Sequence, residues 1–259
     1  MSSEEVSFIE LQLRWEELRQ LPDDHLAAIS VLSFAASEIN FLRKTYMSVS
    51  HPYVQNKTIN SATNIGRFVV IRSWTSKLFE CVTFFEKLSG PKPSTKDKIL
   101  CKLACDSLKT FEPLKKSKGY EVARDLRNEA THHYSFSAAC DNLKHVSSSG
   151  DFGFYTHEVG GNDYYPLGEE VMFHARLNRK WANVDSKTKR NALFMEWLDW
   201  NLSATDWLLK THAHISNELA FKAIDSVKWK KKSYPVPVGF LGDASVARMP
   251  VFSVRETET

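Results

Sequence analysis

The feature that most constrains the fold is an apolar pattern at helical spacing over about residues 1–146 and again over about 186–224. Proline and glycine interrupt the pattern, as at Pro22 and at Gly90, and mark where helices end. The pattern predicts a series of helices, the first of which runs from Ser3 to about Leu18. A chain of 259 residues, 42% of them apolar, is long enough to bury a substantial core around such helices.

The pattern changes after about residue 147. Residues 152–159 and 169–177 alternate between apolar and polar side chains, and a Gly160-Gly161-Asn162-Asp163 turn lies between them. We therefore predict a mostly α fold, a helical bundle with an inserted β-hairpin at about 150–178. The sequence predicts one α-helical domain over 1–225, followed by a basic tail over 226–259 that contains proline and glycine.

Composition limits the function classes without naming one. The formal charge is 34 basic minus 31 acidic residues, or +3, which is too mild to imply a nucleic-acid partner by itself. No run approaches the roughly 18 apolar residues that a membrane span needs, so we expect no membrane partner. The four cysteines are too few for a disulfide framework, which favours free thiols and a cytoplasmic protein. Cys101 and Cys105 lie one turn apart but have no second pair, so no metal site is expected.

One segment, residues 121–134, carries the residue types that chemistry needs. On an ideal helix of about 100° per residue, four positions lie within about 60° of Leu126 and predict the buried face: Val122, Ala123, Ala130 and His133. The polar face opposite carries Arg124, Asn128 and His132. Arg127 lies at the border of the buried face, from which its long side chain can reach the polar one.

This arrangement separates the two neighbouring histidines. His133 faces the core, whereas His132 lies with Asn128, which is one turn earlier and can hydrogen-bond a ring nitrogen. A histidine with an ordinary pKa of about 6.5 can give or take a proton near neutrality. Arginine adds permanent charge and a planar fork that fits a phosphate. Together these groups are suited to phosphodiester chemistry.

The six residues Arg127-Asn128-Glu129-Ala130-Thr131-His132 resemble the signature of the HEPN superfamily. That signature is an arginine, a polar residue that is often Asn, three further positions and a histidine, late on a helix of an α-helical bundle. Most of the helical chain is compatible with such a bundle. A looser spacing, from Arg127 to His133, is formally possible, although the helical wheel argues against it.

The resemblance implies metal-independent RNA cleavage that needs no cofactor, as in a toxin or defence effector with a possible antitoxin partner. Two protomers would pair and bring two motifs into one cleft. The ribose 2′-hydroxyl would attack the adjacent phosphate, with His132 as general base or acid. By the same analogy Arg127 would stabilise the charge that grows on the phosphate, and Asn128 would orient it or the histidine. Arg124 and Glu129 are candidate supporting residues.

Two other interpretations stay open beside this one. Arg124, Asp125, Arg127 and Glu129 could form a solvated helix face with local ion pairs. The chain could also be a non-catalytic HEPN-like protein that binds a nucleotide or RNA, or a helical interaction protein with no such site.

Aromatic residues raise two further expectations. The tail interleaves rings with lysines, a combination typical of single-stranded RNA binding, at Lys228, Trp229, Lys230, Lys231 and Lys232.

On the helix over 186–224, Trp200 and Trp207 form an apolar line beyond the core stripe. Either a second copy of the chain covers this line, which would make a homodimer, or the chain's own domain does.

Overall fold

Helices dominate the structure, as the apolar pattern predicts. The computed structural model describes residues 4–127, 135–159, 161–181, 187–224, 228–243 and 246–253. Within these residues the helices are α1 (Trp15–Leu18), α2 (Asp23–Ser48), α3 (Lys57–Ser89), α4 (Lys98–Lys115), α5 (Lys118–Leu126), α6 (Phe136–Leu143), α7 (Pro166–Glu169), α8 (Ala175–Lys180) and α9 (Lys187–Ser216). Two π-helical turns, Glu170–His174 and Asn217–Phe221, and two strands, β1 (Glu4–Glu10) and β2 (Lys230–Val236), complete the order. The prediction of a mostly α fold with a small β element is confirmed.

Polar residues define where several helices begin. Asp23 and Asp24 lie in the first turn of α2, where their negative charge suits the helix dipole. The Ser117 side chain accepts a hydrogen bond from the Tyr120 backbone N–H at 3.2 Å and caps α5. Ser135 caps α6 in the same way. These caps fix the start of α5, the helix on which the candidate motif begins.

Contacts group the chain into two compact units, and the long helices contribute to both. Unit 1 comprises Met1–Glu38, Cys81–Phe111 and Asp206–Ala247. Its core includes Trp207, whose ring centroid lies 4.5 Å from that of Phe111 and 5.4 Å from that of Phe85. The Trp207 indole N–H donates to the Ser107 carbonyl at 3.2 Å, so this large side chain is both packed and hydrogen-bonded.

The two strands pair with each other in unit 1, antiparallel, with Glu4 opposite Val236 and Glu10 opposite Lys230. The predicted first helix from Ser3 is therefore wrong over residues 4–10, which are extended. Pairing with β2 supplies backbone hydrogen bonds and places opposite charges across from each other, which outweighs the local helical pattern. This pairing also makes part of the predicted tail a strand. The division into a domain over 1–225 and a tail over 226–259 stays a prediction.

Unit 2 comprises Ile39–Glu80, Glu112–Thr205 and Arg248–Thr259. Its core contains buried polar groups that satisfy one another. The Trp197 indole N–H donates to the Thr75 hydroxyl at 2.8 Å, and that hydroxyl lies 2.9 Å from Asn201 Oδ1. Trp74 donates to the Thr205 hydroxyl at 2.9 Å. These bonds fix α3 against α9 in this unit, because each buried donor would otherwise lose its partner.

The predicted hairpin at 150–178 is reduced to one antiparallel bridge between Tyr155 and Tyr164, whose rings stack 4.6 Å apart. The predicted second strand over residues 169–177 is wrong, because the chain is helical from Pro166 to Lys180. Pro166 suits the first helical turn, since its missing N–H is not needed there. In the helix, the apolar residues of the alternating pattern form two pairs four positions apart, Val171 with Ala175 and Phe173 with Leu177. All four side chains are buried.

The two tryptophans that left the homodimer question open are both buried within the chain. Trp200 is stacked on Phe79 in unit 2, and Trp207 is packed in unit 1. The chain itself therefore covers this apolar line, and the line gives no argument for a partner. The homodimer stays a prediction that rests on the motif.

Helix α2 has a different apolar surface. Among the helices of the described segments, it is the one long and apolar enough to cross a membrane, with a window of mean hydropathy 1.4 that is 28% buried. Phe34 and Phe41 are both 68% exposed on it. We expected no segment long and apolar enough to span a membrane. By length and composition alone, α2 does not support that expectation.

Candidate functional site

The helix that opens the candidate motif has the faces predicted for it. Val122, Ala123 and Leu126 are buried on α5, with at most 1% of each residue exposed. Arg124 is exposed on the opposite face, and its guanidinium lies 5.7 Å from the centroid of the Tyr120 ring. The helical wheel is thus confirmed for the part of the motif segment that the structure describes.

Arg127 follows the last residue of α5 and keeps helical backbone geometry. Its half-buried guanidinium lies over the ring of Phe79, 5.2 Å from the centroid, in a cation–π contact. The buried Nε has no hydrogen-bond partner, and the side chain forms no ion pair with any described carboxylate. An arginine held on an aromatic ring without a carboxylate keeps its charge available to an anion.

The other central residues of the motif, Asn128, Glu129 and His132, lie outside the described residues, as does His133. Their predicted roles stay predictions. Of the polar residues in this segment, the structure describes Arg124, Asp125 and Arg127.

The interpretation of this helix face as solvated is wrong for Asp125, because this residue is only 5% exposed. Its carboxylate accepts a hydrogen bond from Arg176 Nη2 at 3.1 Å and another from Lys180. Arg176 also donates to the Asp125 backbone carbonyl at 3.1 Å. Burial lowers the pKa of Arg176, and the charge and hydrogen bond of Asp125 oppose that shift. The pair therefore ties α5 to α8 from inside the fold.

The basic segment predicted to bind RNA, Lys228 to Lys232, lies in unit 1 at and before β2. Trp229 is 56% exposed and meets the ring of Phe221 edge-on at 5.7 Å. Lys232 forms an ion pair with Glu10 of β1, and Tyr234 donates a hydrogen bond to the same carboxylate. These two hydrogen bonds lower the pKa of Glu10. Lys232 is therefore already paired with an acidic residue. The other three lysines of the segment, Lys228, Lys230 and Lys231, are exposed to solvent.

Unit 2 contains a large pocket that sequence reasoning missed. Its volume is about 950 Å³, within the range of small-molecule sites. Its walls come from residues 53–55, the first half of α3, two residues of α5 (Val122 and Leu126), the segment 149–151, the helical stretch over 170–177 and the first turns of α9. One sequence signal could have indicated it: polar residues at helical spacing on α3, at Asn60, Asn64 and Arg67, beside Phe68.

The acidic side of this pocket is built around Asp151 and Glu170. Asp151 accepts hydrogen bonds from Ser61 Oγ at 2.6 Å and from the Tyr155 hydroxyl at 3.1 Å. Burial acts to raise the pKa of Asp151, but these hydrogen bonds, a further one from the Gly153 N–H and the positive charge of Lys57 together outweigh it, and the pKa is lowered. For Glu170 the balance is reversed: burial raises its pKa despite a hydrogen bond from the Asp151 N–H.

His174, at the end of the π-helical turn, also lines the pocket. Its Nδ1 is buried and has no hydrogen-bond partner in the described ranges. Burial, followed by the positive charges of Arg190 and Arg72, lowers the pKa of His174 to about 4. The ring is therefore neutral at physiological pH, which makes it a polar but uncharged part of the wall.

The described residues contain no group of three His, Cys, Asp or Glu side chains that could hold a metal ion. Comparison of the chain with protein-family models, with curated proteins and with solved structures finds no match. The fold defines a mostly α-helical protein. The HEPN resemblance accordingly rests on the residues of the motif.

Proposed function

We propose that this chain is a HEPN-type, metal-independent endoribonuclease, with Arg127 and His132 as its central residues. The observation that carries the proposal is the Arg127-to-His132 sequence motif, which begins directly after α5, a helix with one buried and one exposed face. The Arg127 guanidinium forms no ion pair with a described carboxylate, which supports the proposal, because an arginine that binds phosphate should not already be paired.

The proposed reaction balances within the RNA. The 2′-oxygen attacks phosphorus and passes its proton to a base, and the bond from phosphorus to the 5′-oxygen breaks. The products are a 2′,3′-cyclic phosphate and a 5′-hydroxyl, whose oxygen takes a proton from an acid. His132 would exchange one of these protons, and Arg127 would stabilise the negative charge on the phosphate oxygens. Asn128 would orient the imidazole, with Arg124 and Glu129 as neighbours.

The experiment is an RNA cleavage assay with the purified full chain in EDTA. The wild type is expected to cut, and His132→Ala is expected to lower the rate by about 100-fold or more. His214→Ala is the matched control, because it removes an exposed imidazole of α9. Cleavage by His132→Ala at the wild-type rate, with the fold intact by circular dichroism, would refute the proposal.

A second pair of variants addresses the arginine. Arg127→Lys keeps the charge but loses the planar fork, and Arg127→Ala loses both. We expect the rate to fall in that order, while Arg19→Ala, at an exposed position, leaves it unchanged. RNA binding without cleavage by the wild type would instead favour the non-catalytic HEPN-like alternative.

Pairing of two protomers belongs to the same proposal. We expect the active species to have the mass of a homodimer by light scattering. Mixing inactive His132→Ala and Arg127→Ala protomers should restore some activity only if one cleft takes residues from both. An antitoxin partner would then act by covering this cleft.

A further inference from the structure

The pocket of unit 2 combines aromatic rings with arginines that form no ion pair with a described carboxylate, and Arg127 is not among the described residues that line it. An inference about its ligand therefore goes beyond RNA cleavage and does not depend on it.

Aromatic side chains form one wall of the pocket. Phe68 and Phe173 lie 4.6 Å apart between ring centroids, and Phe194 meets Phe68 edge-on at 5.7 Å. Trp197 lies behind them, 1% exposed, and is held by its hydrogen bond to Thr75. Phe68 and Phe194 are only partly buried, so ring surface remains available to a flat apolar ligand.

Two arginines, Arg67 and Arg190, also line the pocket, and neither forms an ion pair with a described carboxylate. The Arg67 guanidinium lies 5.3 Å from the Phe194 ring centroid, and its hydrogen bond, to the Tyr46 hydroxyl, is long at 3.4 Å. Its Nε is buried without a partner. Arg190 precedes Phe194 by one helical turn and makes no ion pair within the described part of the chain. Both arginines therefore line the same pocket, and neither forms an ion pair with a described carboxylate, which leaves both guanidinium groups able to bind an anion.

The acidic residues of the pocket limit the charge of that anion. Glu170 and Asp151 also line the pocket, so a ligand with two or more negative charges meets like charge as well as the arginines. Arg190 interacts electrostatically with Glu170, which offsets part of its charge. Lys57 lines the pocket as well, so three cations face two carboxylates, and a ligand with a single negative charge is the best match to this balance.

We propose that the pocket binds a small aromatic carboxylate, with its ring against Phe68 and Phe194 and its carboxylate held by Arg67 and Arg190. The planar fork of each arginine suits the two oxygens of a carboxylate. The volume of about 950 Å³ accommodates a ligand of two or three fused rings.

The test is calorimetric titration of the full chain with 2-naphthoate, with uncharged 2-naphthamide and with adenosine monophosphate. We expect one naphthoate per chain and binding at least about tenfold weaker for the amide. Arg67→Gln and Arg190→Gln should each weaken naphthoate binding by about tenfold and leave amide binding unchanged. Arg19→Gln, an exposed arginine of unit 1, should bind as the wild type does.

Four outcomes would overturn the proposal: no naphthoate binding, amide binding of equal strength, tighter binding of the nucleotide, or arginine variants that match Arg19→Gln. Asn191→Trp covers the case in which an arginine variant does not fold. This exposed residue lies at the pocket, and an indole there should exclude the ligand. A folded Asn191→Trp protein that still binds naphthoate at wild-type strength would also refute the proposal.

Discussion

Arg176 donates hydrogen bonds from one nitrogen to both the backbone carbonyl and the carboxylate of Asp125, each at 3.1 Å. Both side chains are buried, with 3% and 6% of their surfaces exposed. Asp125 lies two residues before Arg127, so this contact holds the end of α5 from which the candidate motif continues. Any change to the pair should therefore affect stability and the motif together.

Removing one member of this pair should be costly. Asp125→Ala leaves the Arg176 charge buried without its carboxylate, and we expect about 3–5 kcal/mol less stability to urea. The double variant Asp125→Leu with Arg176→Met removes both charges and should recover most of that loss. Asp106→Ala, which breaks the exposed ion pair with Lys109, should change little. Equal effects of Asp125→Ala and Asp106→Ala would contradict the buried pair.

Stability should also depend on the protonation of His174. Because its pKa is about 4 in the folded state and ordinarily about 6.5, the unfolded chain binds the proton first as the pH falls. Stability is thus unaffected above about pH 6.5 and decreases from there to about pH 4, by on the order of 3 kcal/mol. The raised pKa of Glu170 acts in the opposite direction.

His174→Asn should accordingly flatten the dependence of unfolding free energy on pH between 7 and 4.5. Urea titrations at several pH values measure this slope directly. His145→Asn, at an exposed histidine, serves as the control and should keep the wild-type slope. An unchanged slope in His174→Asn would show that another group is responsible.

Gly119 lies at a close approach of α5 to α9. A Cβ atom there would lie 2.2 Å from the Glu196 carbonyl oxygen and 2.7 Å from Trp200 Cβ. We expect Gly119→Ala to lower the melting temperature through a loss of about 2 kcal/mol or more. Gly66 of α3 has no neighbouring atom within 4 Å of such a Cβ, so Gly66→Ala should stabilise by roughly 0.5–1 kcal/mol. Calorimetry of the two variants compares them, and a neutral Gly119→Ala would disprove the close approach.

The Thr75 hydroxyl joins two buried groups, the Trp197 indole and the Asn201 amide. Thr75→Val keeps the shape of the side chain but leaves both groups without this partner, at a cost of about 2–4 kcal/mol. Thr45→Val is the comparison, since that hydroxyl donates only to a carbonyl of its own helix, at Phe41. Chemical denaturation of both variants measures the free energy of unfolding. A larger loss in Thr75→Val than in Thr45→Val would come from the buried network and not from removal of a hydroxyl as such.

Local pattern was sufficient for most of the helices and for the apolar face of α5, although it failed over residues 4–10 and 169–177. Val122, Leu126 and Arg124 lie where the helical wheel places them, because burial on a helix follows directly from its repeat. The burial of Asp125 was not predictable in this way. Its partner Arg176 is 51 positions along the chain, in a segment that the alternating pattern assigned to a strand.

The pocket was missed for a similar reason. Arg67 and Arg190 belong to different helices, and each alone resembles an ordinary surface cation. Only the packing of α3, α9 and the π-helical turn shows that they line one pocket. Periodicity indicates which face of a helix is buried, but not which buried faces leave a gap between them.

The pairing of β1 with β2 has a consequence for synthesis. Glu10 and Lys230 are neighbours in the sheet, yet roughly 220 residues separate them along the chain. On the ribosome, β1 emerges long before its partner is translated, with Phe8 and Ile9 exposed at an unsatisfied edge. Closure of this small sheet is therefore one of the last folding events, and a nascent chain stalled before residue 230 would still display that edge to chaperones.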